Sequence, residues 1–491
     1  MKSTAQYDLV VIGGGTAGLV AAAGAVGIGA PRVALVEGDR LGGECLWTGC
    51  VPSKALIACA RAASEARDAE RFGIRVGDVS IDAAAVWQWV RSARTRIEPH
   101  DSPERFRKLG VEVIQGEARF ASERALLVNG QKLSAKRVVI ATGSRPALPP
   151  VDGLNDGAFY TNETLFDLEY LPKSLIILGA GAIGLEMAQA FTRLGTVVTV
   201  VESSPQLLAH EDRELADLLG DRLRADGVTI LLGSTATRVT YGDGASTSDH
   251  AGRGQFSPGN VTLELKHSDG RATRVTGDAL LVATGRKANV ESLDLACGSV
   301  VTDKNGIAVS STMRTSNNHV WAAGDVTGTL RFTHVAEYEG RLVVRNAFFP
   351  FDAKADYSNV PWVTFTDPEL AHLGLTEEEA RDRFGAHVTV WRKPFDDIDR
   401  AITDGQTAGL VKIIVGRKGR ILGAHILGHG AGNMIGELTI AMRSGLTLSD
   451  VANTIQPYPV YPDAIRQAAN QYQKSRFTGI VKSIAGWLAA R

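Results

Sequence analysis

Cysteine is scarce in this chain: four residues in 491, too few for a disulfide-stapled framework. Long apolar runs are missing too, and none approaches the roughly 18 residues of a membrane span. No export signal is legible, because the mostly polar residues 1–8 lead straight into a short apolar run and a glycine turn. Together these absences predict a cytoplasmic protein, a setting in which a cysteine pair is catalytic more often than structural. An excess of one charge sign is also lacking. Lys and Arg total 53 against 54 Asp and Glu, a net charge of −1, which argues against a nucleic-acid partner. No metal-ligand set is expected: there is no Cys-x-x-Cys, and nothing beyond Cys297 is a cysteine. What is present is 44% hydrophobic residues, 22% charged residues and 53 glycines. That composition fits an α/β protein rich in tight turns, with length for about three domains.

Two of the four cysteines, Cys45 and Cys50, lie in the stretch Leu41-Gly-Gly-Glu-Cys-Leu-Trp-Thr-Gly-Cys-Val-Pro-Ser-Lys54. In a regular helix an i,i+5 pair stands about 140° apart around the axis. A disulfide needs Cα atoms within roughly 7 Å, so pairing requires a distorted backbone. Pro52 has no N–H for the carbonyl of Thr48, and Gly49 adds local freedom. Thiols at a helix start also gain from the exposed backbone N–H groups, which stabilise thiolates. A lone C-x4-C leaves three readings open: a structural disulfide, two buried thiols or a redox pair.

Around this stretch stand two dinucleotide-binding signatures. Residues 9–12 read as a strand ending in Gly13-Gly14-Gly15-Thr16-Ala17-Gly18, and residues 17–26 as a helix. Residues 33–36 form the next strand, closed by Glu37, 19 residues after Gly18. Gly13 serves the tight turn, Gly15 the approach of the pyrophosphate, Gly18 the helix–sheet contact, and Glu37 the ribose hydroxyls. The second signature has a strand over 174–178, a turn with Gly179, Gly181 and Gly184, a helix over 185–194, a strand over 197–201 and Glu202 at its end. Two such units imply two dinucleotides, as flavin reduction by a nicotinamide requires. Glu202 suits a free 2′-hydroxyl and repels a 2′-phosphate, which predicts NADH over NADPH.

Elsewhere, residues 55–70 and 86–97 read as helices, with Cys59 buried on the face opposite Cys50. Ser102 and Pro103 mark a helix N-cap and first turn. Residues 111–120 read as one strand, and residues 241–260, rich in Gly, Ser, Asp and Thr, as an extended hairpin or loop.

The segment Gly42–Lys54 closely resembles the redox motif of the flavoprotein disulfide reductases, the group of dihydrolipoyl dehydrogenase, glutathione reductase and mercuric reductase. Further segments resemble that family in order. They are Gly116–Phe120, Ala141-Thr142-Gly143, Ala283-Thr284-Gly285, Ala322-Ala323-Gly324-Asp325, Thr333-His334 and Val360–Glu369. The resemblance implies an α/β fold of two Rossmann-like domains plus an α+β dimerisation domain. FAD would occupy 1–153 and 286–356, NAD(H) 154–285, and the homodimer interface 357–491. Beyond the glycines already named, it places Gly43, Lys54, Ala118, Thr142, Gly143, Asp325 and Thr333 at the flavin and Gly285 at the exit from the NAD domain. It also makes His334 a neighbour of the flavin's pyrimidine edge or a simple helix cap.

By the same resemblance, electrons pass from NADH to FAD, then to a Cys45–Cys50 disulfide, then to a small-molecule acceptor. Cys50 would be the flavin-side thiol, Cys45 the interchange thiol, and Lys54 and Glu186 an ion pair at the reactive flavin edge. The acceptor implied is a disulfide or similar group; alternatives are direct flavin reduction of quinones or dyes, and mercuric reductase-like metal reduction. Two departures matter. Glu44 and Trp47 differ from the commoner residues beside the first cysteine. The dithiol enzymes' C-terminal histidine is replaced by Tyr458, with Asp463 at the position of its acidic partner. An unshifted tyrosine with a pKa near 10 is a proton donor and a poor base at neutral pH. His100, beside Asp101, is the alternative acid/base. At the C-terminus, Ile480, Val481, Ile484, Trp487 and Leu488 recur at helical spacing, with Lys474, Arg476 and Lys482 nearby. This predicts an amphipathic helix over 477–490 that packs on the dimer or makes weak contact with a membrane surface.

Overall fold

The computed structural model describes residues 6–242, 261–476 and 486–488. It divides into two compact units: residues 1–179, 193–197 and 236–356, and residues 180–192, 198–235 and 357–491.

The first unit is built on a five-stranded parallel sheet. Its order is Val320–Ala322, Val138–Ile140, β1 (Leu9–Ile12), β2 (Val33–Glu37) and β3 (Val111–Gln115). All four residues of β1 are buried, as a strand covered on both faces requires. Helix α1 (Thr16–Gly27) shares a core with the helix Thr333–Phe348, where a Cβ at Gly340 would come within 2.7 Å of the Ala17 carbonyl oxygen. β4 (Ala118–Ser122) opens a three-stranded antiparallel sheet with Ala125–Val128 and Gln131–Ser134. The strand expected over 111–120 is therefore two, parted at Gly116, whose φ of +147° turns the chain out of the parallel sheet. Ser174–Leu178 pairs in parallel with Ala279–Val282, and Ser144–Pro146 pairs antiparallel with Arg286–Ala288.

The second unit pairs Val197–Val201 with Thr229–Leu231 in parallel and carries the helices Ala182–Arg193 and Arg213–Ala225. It also holds a five-stranded antiparallel sheet in the order Pro361–Thr364, Glu369–Gly374, Ile421–Gly428, Leu410–Val415, Thr389–Pro394. The helices Ala431–Arg443, Leu448–Ala452 and Asp463–Ser475 join that sheet in one core, with Phe395, Ile413, Ile426, Leu438 and Ile465 all but inaccessible.

The redox stretch is not one distorted helix. α2 (Gly43–Trp47) ends at Thr48, Gly49 takes a φ of −130° and ψ of −112°, and α3 (Cys50–Arg67) starts afresh at Cys50. Pro52 sits in the first turn of α3, where its missing N–H leaves no bond unmade. The break at Thr48 and Gly49 thus supplies the distortion that Pro52 was expected to share. α3 runs to Arg67 and a separate short turn, Ala69–Phe72, follows; Cys59 is half-buried rather than buried. The helix α4 (Ala83–Ile97) covers the expected 86–97, and Ser102 caps α5 (Pro103–Leu109), accepting from the Arg105 N–H. Phe332, not His334, is the N-cap of Thr333–Phe348, and the His334 ring stacks on Phe332. Most of the 241–260 loop and of the 477–490 helix lies outside the described residues; residues 486–488 are helical and exposed. Among the described residues no helix is long and apolar enough to cross a membrane.

Candidate active site

The first glycine turn is shaped by collisions that side chains would make. A Cβ at Gly18 would lie 1.9 Å from the Gly13 carbonyl oxygen, and one at Gly13, where φ is +106°, 2.3 Å from the Ala141 oxygen. Gly15 is the N-cap of α1 with no side-chain cap, so the helix's first N–H groups open at the C-terminal edge of β1, an arrangement that suits an anion. Glu37, at the end of β2, accepts from the Gly14 N–H (2.5 Å) and the Asp39 N–H (2.7 Å), which places its carboxylate over the turn.

The redox stretch closes on this turn directly. The Gly42 N–H donates to the Gly14 oxygen (2.9 Å), and a Cβ at Gly43, where φ is +56°, would stand 2.7 Å from the Gly15 Cα. Cys45 on α2 and Cys50 at the head of α3 are both thiols here. Cys45 hydrogen-bonds Cys50, and that bond, followed by burial, pushes the Cys45 thiol well above the ordinary range. The Cys50 Sγ lies 3.4 Å from the Thr333 Oγ1. Asp101 is near enough to add to the field at Cys45, whereas His100 is exposed. Cys50 and Lys54, one turn further along α3, line an open groove of about 350 Å³ with Val51, Ala58, Trp89 and Ile97.

Behind the cysteines runs a polar network that joins Glu44 and Asp325 to Arg286, Ser144 and Asn162, and sequence reasoning gave the last three no role. Arg286 ion-pairs with Glu44 and donates from Nε to the Ser144 Oγ (2.8 Å). Ser144 in turn donates to Asp325 Oδ2 (2.6 Å), and Asn162 donates to Glu44 (2.9 Å). Burial pushes the Glu44 carboxyl up to about 7; the Arg286 guanidinium opposes this, and Asp325, Cys50 and Glu163 add to it. The signal in the sequence was the placement of Glu44 next to Cys45 and of Arg286 next to Gly285. Only the fold shows that they meet. Thr142 and Asn289 bond each other reciprocally (Oγ1 to O, 2.7 Å; Nδ2 to O, 2.9 Å), while Gly143 and Gly285 both take positive φ. Ala118 is a buried core residue at the start of β4. Glu339, wholly buried, accepts from the Gly324 N–H (2.6 Å) and so holds the turn before Asp325; nothing in the sequence pointed to it.

At the second glycine turn Glu202 accepts from the Ala180 N–H (2.8 Å) and the Ser204 N–H (2.7 Å), repeating the two-donor arrangement of Glu37. A Cβ at Gly179, where φ is +103°, would come within 2.5 Å of the Ala283 oxygen. Around Gly181, among the described residues, nothing lies within 4 Å of where a Cβ would sit. Gly184 lies in the first turn of Ala182–Arg193, and Glu186 on the same helix is buried and accepts from the Phe365 N–H (2.8 Å).

Tyr458 is 71% exposed, and its hydroxyl donates to Asp399 Oδ2 (2.6 Å), which raises its pKa. Asp463 is buried at the start of the helix Asp463–Ser475 and accepts from Arg466 Nε (2.7 Å) and Gln467 Nε2 (2.6 Å). The acid that Tyr458 touches is therefore Asp399.

A glycine turn closed on a cysteine pair, a second glycine turn and a C-terminal antiparallel sheet define a flavin- and nicotinamide-linked redox protein. Residues 7–340 match the pyridine nucleotide-disulphide oxidoreductase family, and residues 360–469 match its dimerisation domain. The chain belongs to that family. It is 36% identical over 480 residues to a mercuric reductase of Streptomyces lividans, covering 96% of this chain and 97% of that protein. It is 35% identical over 472 residues to a dihydrolipoyl dehydrogenase of Thermus scotoductus, covering 95% and 98%. Among solved structures, the Cu(II) complex of the HOCl-induced flavoprotein disulfide reductase RclA of Escherichia coli superposes with a TM-score of 0.83. The identity there is 28%, covering 95% of this chain and 99% of that one. The protein is thus an oxidoreductase of the pyridine nucleotide-disulfide type that takes FAD and a pyridine nucleotide, and it carries the dimerisation domain of a homodimer.

Proposed function

We propose that the protein uses NADH to reduce a disulfide or a comparably thiophilic acceptor through Cys45, with Cys50 as the thiol on the flavin side. The observation that carries this reading is the placement of Cys45 and Cys50 on separate helices, within hydrogen-bonding distance of each other and with Cys50 against Thr333. FAD supplies two-electron exchange between the nicotinamide and the cysteine pair. Its pyrophosphate fits the cradle of Gly13, Gly15 and Gly18, its ribose Glu37, and its remaining contacts the region of Gly43, Ala118, Thr142, Gly143, Asp325 and Thr333. Glu202, Gly179, Gly181, Gly184 and Gly285 serve NADH.

Tyr458, with Asp399 raising its pKa further, supplies a proton donor and no base. Acceptor reduction, in which a leaving thiolate gains a proton, is therefore favoured over oxidation of a dithiol. Tyr458→His should raise dihydrolipoamide oxidation by NAD about tenfold or more and introduce a pH dependence around 6–7. An unchanged rate across pH 5–8 would sink the role given to Tyr458.

The kinship with a mercuric reductase and with a protein solved as a Cu(II) complex supports soft metal ions as acceptors that a dithiol would hold. The groove beside Cys50, lined by Trp89 and Ile97, favours a second reading, direct reduction of a flat apolar acceptor such as a quinone. Cys45→Ser separates the two. On the main reading it abolishes NADH-driven disulfide and metal reduction while flavin content is unchanged; retention of full disulfide turnover would overturn that reading. On the second, quinone reduction survives the same change.

A further inference from the structure

Far in sequence from either cysteine, and within the second unit, three side chains converge in the interior. Glu211, His372 and His425 are 7%, 2% and 0% exposed, and each offers a ligand atom within 4.8 Å of the other two. His372 and His425 are cross-strand partners on neighbouring strands, Glu369–Gly374 and Ile421–Gly428, so their rings share one face of the sheet. Glu211 comes from the segment just ahead of the helix Arg213–Ala225.

The hydrogen bonds settle which nitrogens are committed. His372 Nε2 lies 2.9 Å from the Gly374 oxygen, and His425 Nε2 lies 3.0 Å from the Leu375 oxygen. A carbonyl only accepts, so both Nε2 atoms carry hydrogen. In neutral rings both Nδ1 atoms then carry lone pairs. His372 Nδ1 faces Glu211 Oε2 at 3.0 Å, where a lone pair against a carboxylate is unfavourable unless a cation or proton lies between them. Among the described residues, His425 Nδ1 is fully buried with no hydrogen-bond partner, an orphan that a ligand would satisfy. The other Glu211 oxygen accepts from Trp362 Nε1 (2.5 Å), and the Trp362 ring stacks on His372 with centroids 3.6 Å apart.

The surrounding charge has the sign a cation needs. Lys412 meets Asp212, Glu214 and Glu377, Arg392 meets Glu214 and Glu377, and Arg381 meets Glu377. With Glu211 added, four carboxylates face three cations. Backbone carbonyls that fix the tautomer, two imidazole nitrogens and one carboxylate form the N,N,O donor set of divalent zinc and its neighbours. We propose that Glu211, His372 and His425 form a buried site for one divalent transition-metal ion, tying the segment before Arg213–Ala225 to the antiparallel sheet. Tetrahedral ligands at about 2.1 Å from zinc stand roughly 3.4 Å apart, so the site closes by a small movement of His425 when loaded.

The test uses the full-length flavoprotein with Cys45 and Cys50 both changed to Ser, so that the redox pair cannot take up metal. After chelation it is equilibrated with Zn(II), freed of excess, and its zinc measured by elemental analysis. One zinc per chain is expected, with a rise in Tm on loading. Both should vanish in His425→Asn, and in Glu211→Gln, which keeps the Trp362 bond. Flavin content and the metal-free Tm verify folding of each variant. No zinc in the parent, or equal zinc in parent and folded variants, overturns the site.

Discussion

The two glycine turns carry the same local chemistry and differ in what stands over them. Each ends a buried parallel strand, opens a helix and is overhung by a glutamate that accepts two backbone N–H bonds, Glu37 from Gly14 and Asp39, Glu202 from Ala180 and Ser204. At the first turn the redox stretch lies on the glycines, with Gly42 bonded to Gly14 and the backbone of Gly43 pressed toward Gly15. At the second, among the described residues, nothing lies within 4 Å of where a Gly181 Cβ would sit. A covered site suits a cofactor that stays, and an open one a cofactor that arrives and leaves in each turnover. On the proposed assignment one motif serves two kinetic roles, and the difference is made by a segment about 25 residues downstream of the first turn.

The largest effect should come from Gly43→Ala. An alanine at φ +56° costs about 1–2 kcal/mol in backbone strain alone, and its Cβ would meet the Gly15 Cα at 2.7 Å. The purified variant should lose most of its FAD, measured as the flavin-to-protein absorbance ratio, while the corresponding crowding is absent at Gly181. Full flavin retention would show that the covering segment does not guard the first site. Glu202→Arg should come next. It should narrow or reverse the NADH-to-NADPH ratio of kcat/KM and leave the flavin in place, and equal use of both cofactors by the parent would remove the basis for it. The smallest effect concerns Glu44, whose network reaches Asp325 at the first site only. Its folded pKa of about 7 exceeds the unfolded 4.5. The stability it contributes is full below pH 4.5 and is lost as pH rises through 7. Glu44→Gln should flatten the fall in Tm across that window; an unchanged Tm profile would show the carboxyl titrates normally.

The glycine turns, their flanking strands and the acids Glu37 and Glu202 were legible in the sequence because each depends on neighbours in the chain. A strand, a left-handed glycine and a helix start are local events. The family resemblance reached further, since order and spacing of several motifs survive in a linear string. Positions of backbone breaks were read less well. Residues 111–120 looked like one strand because Gly116 interrupts an otherwise β-favouring run, and only pairing to different sheets separates its halves. The distortion of the redox stretch is shared between Pro52 and Gly49 on the sequence reading, whereas the break falls at Thr48 and Gly49, where one helix ends and the next begins.

By itself, then, the chain determined the two glycine turns and the cysteine pair, both carried by residue type at short spacing. Tertiary structure alone decided which acids and bases meet. Glu44 finds Arg286 across 242 positions, Tyr458 finds Asp399 across 59, and His372 finds Glu211 across 161. Such pairs leave no period or motif, because their partners are chosen by how strands and helices pack.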